Sequence, residues 1–306
     1  MHDSISDASR RNSSCQSTDD ARPGRSAGPL PDVFPEPRIT QSRFGDLDCI
    51  VVDGGPTATI PVIVCHGYGA PGHDLAGLSL EWLRMLDEVG GHFRFVFPAA
   101  PISLADQGMP DGRAWWPLNM ARLLDMAGAS RFDELHDEEP PGLDTARAIL
   151  TAAIDQVLAG MNRPSTWALG GFSQGAMLSL DTVLRGGLPT PSVLFQFSGT
   201  LVCRTIWETK LDRLKEARVL QSHGRVDPIL PFDSAVRLET LLCGAGVDVH
   251  FHPFDGPHTI DPETVRLSGD ALRTLVAPSR ADEPSPSDAS SGIQSAGGQS
   301  SEHRNS

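Results

Sequence analysis

Trp167-Ala168-Leu169-Gly170-Gly171-Phe172-Ser173-Gln174-Gly175-Ala176-Met177 decides the reading of this chain. A short apolar run leads into G-x-S-x-G, and a helical pattern follows at once. Strand, sharp turn and helix in that order are the setting in which this motif carries chemistry. The reason is steric. Gly171 and Gly175 allow the strand and helix backbones to approach closely, so Ser173 projects from a strained turn at the top of a sheet. The helix N-terminus beside it offers free N–H groups to developing negative charge. Ser173 is therefore the candidate nucleophile.

Outward from this segment, short apolar runs alternate with longer helical patterns. Strands are expected at Asp48–Val52, Pro61–Cys65, Phe93–Phe97, Ser165–Gly170, Ser192–Phe197, Ala217–Ser222 and Val247–Pro253. Several are nearly continuous in apolar residues, as strands covered on both faces are. Leu143, Ala146, Ile149, Leu150, Ala153, Ile154, Val157 and Leu158 form one helical stripe. Helices are also expected at Asp74–Val89, Gln174–Leu184, Thr205–Lys215, Phe232–Cys243 and Pro262–Val276. The pattern predicts an α/β fold with a mostly parallel central sheet and helices on both faces. Residues 99–141 stand apart as a long Pro-rich excursion with a short helix near Asn119–Met126. An excursion of that length beyond a strand's C-terminal end is expected to overhang the site.

A serine hydroxyl needs a base, and the base needs an orienting acid. On this kind of fold they follow the serine in the order acid, then histidine. His258 is the best-placed base, since it follows the last strand through Asp255-Gly256-Pro257 and precedes the final helix. His250 and His252 alternate in a strand, and His223 reads as support for a turn. Asp227, just beyond the strand Ala217–Ser222, is the expected acid. Asp255 competes from three residues before the histidine, and Asp233 belongs to the next helix. The backbone N–H groups of Gln174 and Tyr68 are the expected oxyanion donors, the second from the Gly-rich turn Cys65-His66-Gly67-Tyr68-Gly69. His66 there reads as a turn-stabilising residue. Trp115, Trp116, Phe172 and Met177, with Met109, Leu118, Met120 and Leu123, are candidates to bind an apolar substrate; a small core under the excursion accounts for them equally well. His136 with Asp137, Glu138 and Glu139 reads as a solvated acidic turn, and no metal site is expected.

Composition narrows the partners. The formal charge is −14, and most of it falls between the two ends of the chain. Such a domain repels nucleic acid and anionic membrane surfaces, so a small-molecule ester is the expected partner. Cys15, Cys49, Cys65, Cys203 and Cys243 are odd in number, scattered and without a C-x-x-C pair, which argues against a disulfide framework or zinc site. The first 30 residues lack the apolar stretch of a signal peptide, and a cytoplasmic location is expected. Residues 1–38 and 278–306 are rich in Ser, Asp, Gly and Pro and are expected to be disordered tails around a domain at 39–277.

Taken together, the chain resembles the phospholipase/carboxylesterase family, which includes acyl-protein thioesterases and bacterial carboxylesterases. The resemblance rests on His66-Gly67-Tyr68-Gly69, Phe97-Pro98-Ala99-Ala100-Pro101, Gly171-Phe172-Ser173-Gln174-Gly175, Ser198-Gly199, His223-Gly224-Arg225-Val226-Asp227 with Pro231, and Gly256-Pro257-His258. It implies an α/β-hydrolase fold, no cofactor, and a triad of Ser173, Asp227 and His258 cleaving carboxylic esters, thioesters or lysophospholipids. Relatives often carry Trp-Phe-Asp or Trp-Tyr-Asp where this chain has Trp115-Trp116-Pro117. An acyltransferase using the same triad and a non-catalytic binding protein of the same fold are the alternatives. Removal of residues 1–36 and 280–306 is expected to shift the melting temperature and turnover only slightly, because disordered ends contribute few contacts; differential scanning calorimetry of the shortened chain checks this.

Overall fold

The apolar runs expected to be strands form seven strands of one eight-stranded sheet, the last of them at its edge. The computed structural model describes residues 36–276. The two expected tails lie outside the described residues, save for 36–38, where Arg38 already opens the first strand.

In chain order the elements are β1 (Arg38–Phe44), β2 (Leu47–Asp53), β3 (Ile60–Cys65), α1 (Gly77–Leu86), β4 (Phe93–Pro98), β5 (Ile102–Ser103), β6 (Arg113–Ala114), α2 (Met120–Gly128) and α3 (Leu143–Gly160). There follow β7 (Ala168–Phe172), α4 (Gln174–Arg185), β8 (Val193–Phe197), α5 (Arg204–Glu208), β9 (Arg218–Gly224), α6 (Phe232–Gly244), β10 (Asp248–Phe254) and α7 (Pro262–Arg273). The sheet order is β1-β2-β4-β3-β7-β8-β9-β10, and β2 alone runs against the rest.

Alternation along the strands feeds two cores. Ile63, Cys65, Val96, Leu169, Leu194 and Val219 point to one side, with α3 and α4 packed over them. Val62, Val64, Phe95, Phe195 and Leu220 point to the other, covered by α1 and α7. A strand with both faces buried must be apolar at every position, which is why these runs are continuous. Burial also pushes the Cys49, Cys65 and Cys203 thiols up to about 12, so they are inert core groups.

Three departures have local causes. β1 was not anticipated, because an edge strand mostly exposed to solvent carries no apolar alternation. β7 sits later than expected and runs through Gly170 and Gly171. Glycine usually weakens a strand, but a Cβ at Gly170 would collide with Phe195 and one at Gly171 with the Gly175 backbone. The helix expected over Thr205–Lys215 is broken into α5 and a 3-10 turn at Leu211–Leu214. There Trp207 donates its indole N–H to Asp181 at 2.8 Å, and the Arg213 guanidinium bonds the Val183 and Leu188 carbonyls.

The three carboxylates of the acidic turn are exposed, as expected, yet each is paired. Asp137 pairs with Arg204, Glu138 with Arg122 and Glu139 with Arg185, each arginine on a different helix or its edge. His136 is buried, its Nε2 3.0 Å from Ser234 Oγ on α6. Backbone bonds from Cys203 N–H to Glu138 O and from Arg204 N–H to His136 O complete the attachment. Four consecutive residues thus fasten the C-terminal end of the excursion to α2, α4, α5 and α6.

His136 has a consequence for acid stability. Burial first, then Arg237 and Arg204, lower its pKa from 6.5 to about 4. In the unfolded chain the imidazole takes up its proton near pH 6.5, in the fold only near pH 4, so acid favours the unfolded state across that interval. The contribution is complete above it and amounts to about 3 kcal/mol. Unfolding free energy from urea titrations is expected to fall between pH 6.5 and 4, and His136→Gln, which cannot take the proton, is expected to flatten that fall.

Candidate active site

The C-terminal ends of β3, β7, β8 and β9 meet at one edge of the sheet, and the expected site residues gather there. Ser173 lies between β7 and α4 with φ 55° and ψ −117°, a backbone conformation that non-glycine residues rarely adopt. Its N–H donates to Phe197 O at 2.8 Å, and its carbonyl accepts from Ala176 N–H and Met177 N–H. A strained residue persists only where its surroundings over-determine it, and a strain of this kind costs about 1–3 kcal/mol. Gly175 supplies part of that constraint, since a Cβ there would collide with the Cys65 carbonyl of β3.

Asp227 follows β9 in the loop that leads to α6. Its Oδ1 accepts from Ile229 N–H at 2.8 Å and Leu230 N–H at 2.9 Å. Its Oδ2 accepts from His258 Nδ1 at 2.6 Å. Burial alone would raise the carboxyl pKa; hydrogen bonds from His223 and His258, with Leu230 N–H, outweigh it and hold the group well below the usual carboxylate range. Asp255, the alternative acid, faces solvent and lies 3.5 Å from exposed Arg225. Asp233 sits in the first turn of α6, as expected.

Because Nδ1 of His258 gives its hydrogen to a carboxylate, Nε2 is left with a lone pair. That nitrogen's ring packs 4.7 Å from Phe172, and the Ser198 hydroxyl bonds Thr259 O to hold the adjoining loop. Ser173 and His258 line the same cavity. Among the described residues no hydrogen bond joins them. Catalytic bonds of this kind are often long before substrate arrives.

The Tyr68 and Gln174 N–H groups engage no acceptor among the described residues, and Tyr68 lines the cavity beside Ser173. His66 plays the structural part expected of it. Its Nδ1–H donates to Gly67 O at 2.8 Å, and its Nε2 accepts from Ala100 N–H at 3.0 Å. Both ring nitrogens are thereby occupied, and burial lowers its pKa.

The cavity holds about 600 Å³ and is mostly apolar. The excursion roofs it with Trp116, Leu118, Met120 and Leu123, and Phe172 and Met177 approach from the sheet side. Trp115 and Met109 are not on its wall. Trp115 is buried, its indole N–H on His66 O at 2.9 Å and its ring against His66, so it packs the loop. The Gln174 side chain clips this pair of tryptophans, accepting from Trp115 N–H at 2.9 Å and donating to Trp116 O at 2.8 Å. Thr200, Leu201 and Val202 after β8, and Ile229 and Leu230 beside Asp227, complete the wall and were not anticipated. No periodic signal marks them, for they lie in irregular segments; only the neighbouring Ser198-Gly199 and Asp227 motifs pointed to that edge.

A strained serine at a strand–helix turn on a mostly parallel eight-stranded sheet defines an α/β-hydrolase fold. The model of the phospholipase/carboxylesterase family matches residues 48–275. Acyl-protein thioesterase 1 of Mycosarcoma maydis is 31% identical over 228 residues, covering 69% of this chain and 88% of its own. Acyl-protein thioesterase 1 of Gibberella zeae is 27% identical over 239 residues, covering 76% and 98%. Among solved structures, esterase PE8 superposes with a TM-score of 0.59 at 28% identity, over 74% of this chain and 97% of that one. TT1662 from Thermus thermophilus shares the fold at 13% identity, with a TM-score of 0.58 over 78% and 98%. The chain belongs to the phospholipase/carboxylesterase family, a family of hydrolases.

Proposed function

We propose that this protein hydrolyses carboxylic esters, thioesters included, through an acyl-enzyme on Ser173, with Asp227 and His258 as acid and base. The observation that carries the reading is the 2.6 Å bond from His258 Nδ1 to buried Asp227, facing a cavity that also exposes the strained Ser173. Asp227 holds the imidazole in the tautomer whose Nε2 accepts a proton. As Ser173 Oγ attacks the carbonyl carbon, its proton passes to Nε2, and the carbonyl oxygen gains charge against the Tyr68 and Gln174 N–H groups. The imidazolium then protonates the departing alcohol or thiol. Water adds to the acyl-enzyme by the same route and releases the acid. The relatives named as acyl-protein thioesterases support the thioester arm.

Ser173→Ala is expected to lower kcat by about 10³-fold or more while the circular dichroism spectrum stays native. Asp227→Asn is expected to lose about 10³–10⁴-fold, against less than about twofold for Asp255→Asn. The reverse ranking would move the acid to Asp255.

The roof of the cavity suits an acyl chain. Burying one methylene contributes about 0.8 kcal/mol, so each added carbon can raise kcat/KM by up to about fourfold until the cavity is full. Trp116→Ala is expected to flatten that dependence over a series of p-nitrophenyl esters from acetyl to decanoyl. Equal losses at every chain length would instead make Trp116 a packing residue.

A further inference from the structure

One buried imidazole beside the site has no part in the mechanism above. His223 lies near the end of β9, fully buried, with Phe232 of α6 edge-on to its ring at 6.3 Å. Its Nε2 is 2.8 Å from Leu230 O, and a carbonyl can only accept, so Nε2 carries the hydrogen. The same nitrogen is 3.2 Å from Asp227 Oδ2. Its hydrogen points chiefly at the nearer carbonyl, and Oδ2 meets it from the side. Leu230 in turn donates its N–H to Asp227 Oδ1 at 2.9 Å. The result is a closed ring: His223 holds Leu230, Leu230 holds one carboxylate oxygen, and His223 lies against the other. Nδ1 of His223 is buried and has no hydrogen-bond partner among the described residues. Packing alone gives no reason to bury an unmatched lone pair where an apolar side chain would fit. The ring's other nitrogen does.

We propose that His223 is a positioning residue, whose Nε2–H holds the Leu230 carbonyl and the Asp227 carboxylate in the orientation that receives His258. The inference rests on the reading of Ser173, Asp227 and His258 given above. A serine hydrolase loses rate steeply when the base is turned by a fraction of an ångström, and Asp227 stands in a loop with no regular structure of its own. The ring of bonds ties that loop back to β9, a strand paired on both sides, with β8 and with β10. His223 also withdraws part of the carboxylate's charge from His258. Without it the imidazolium is better stabilised, and the base stays protonated to higher pH. The other titratable and charged groups on the elements packed here are Arg225 and Asp255, exposed and facing each other; the part-buried His252–Asp261 pair between β10 and α7; Asp233, Arg237 and Glu239 on α6; and the Arg218–Asp248 pair at the far end of β9 and β10; Arg122 and Glu138 pair on the cavity wall.

The test compares His223→Gln with His223→Asn in the full chain, using p-nitrophenyl butyrate. Gln carries its amide nitrogen near the place of Nε2, Asn near that of Nδ1, so only Gln can bond Leu230 O. His223→Gln is expected to stay within about threefold of wild-type kcat, and His223→Asn to lose about tenfold in kcat with little change in KM. The acidic limb of kcat/KM is expected to move to higher pH in His223→Asn and to stay in place in His223→Gln. Identical limbs in the two variants overturn the proposal. If His223→Asn does not fold, ¹⁵N-imidazole spectra of the wild-type protein decide: the His223 Nε2–H signal must shift when His258 titrates, and an unresponsive signal refutes the coupling. Ser173→Ala runs beside them. Full activity in that variant defeats the serine reading itself, whereas an inactive Ser173→Ala with indifferent His223 variants defeats only the role of His223.

Discussion

Where β7 turns into α4, the backbones of three elements come closer than any side chain allows. Gly171 lies against Gly175, and Gly175 against the Cys65 carbonyl of β3. This contact compels the chain to reverse direction within one residue, and that residue is Ser173, held at φ 55° by its bonds to Phe197 and to the first turn of α4. Much else depends on it. The same close approach brings the Gly67-Tyr68 turn against the serine, and it leaves the Gln174 N–H at the head of a helix with no acceptor. A side chain at Gly175 would push β3 from β7 and move the Tyr68 and Gln174 N–H groups away from Ser173 together.

Around this point the molecule divides its labour between a rigid sheet and an irregular roof. Asp227 and His258 stand in loops, yet each loop is returned to the sheet by specific bonds: Asp227 through His223 and the Leu230 backbone, His258 through Ser198 and Thr259. The roof has no sheet of its own beyond the β5–β6 pair. It is held at one end by the Gln174 amide gripping the Trp115-Trp116 backbone, and at the other by three ion pairs and the His136–Ser234 bond. Exposed ion pairs contribute little singly, about 0–1 kcal/mol each. The buried contacts of Trp115, Phe132 and Leu135 must therefore carry most of the roof's attachment.

A second polar knot lies under the helices. The Asp181 carboxylate is fully buried on α4 and receives Arg147 from α3, Arg185 from its own helix and Trp207 from α5. A buried charge of this kind is tolerable only when its lone pairs are all engaged. Here the engagement fixes how α3 and α5 sit on the elbow helix, and so indirectly the wall formed by Leu201 and Val202.

The sheet and the elbow could be read from residues alone, because each is imposed by local rules, and the chain order of Ser173, Asp227 and His258 marked them as candidates. Continuous apolar runs follow from burial on two faces, and G-x-S-x-G follows from a turn that admits no side chain. His258 and Asp227 were legible through their places just after strands. What no local rule contains is partnership across long separations. Asp227 and Asp255 both follow closely on a strand end in the sequence, and only the path of the loop turns one onto His258 and the other into solvent. Trp115 and Trp116 are neighbours with the same chemistry and both are buried, yet only Trp116 reaches the cavity wall, while Trp115 packs on His66. His136 stands beside exposed carboxylates like a member of a solvated turn, yet the tertiary structure buries its imidazole against α6 and brings an arginine to each carboxylate. Sequence by itself determined which groups could do chemistry, since that depends on residue type and local spacing; the tertiary structure decided which of them meet, since a hydrogen bond of 3 Å depends on the packing of segments a hundred residues apart.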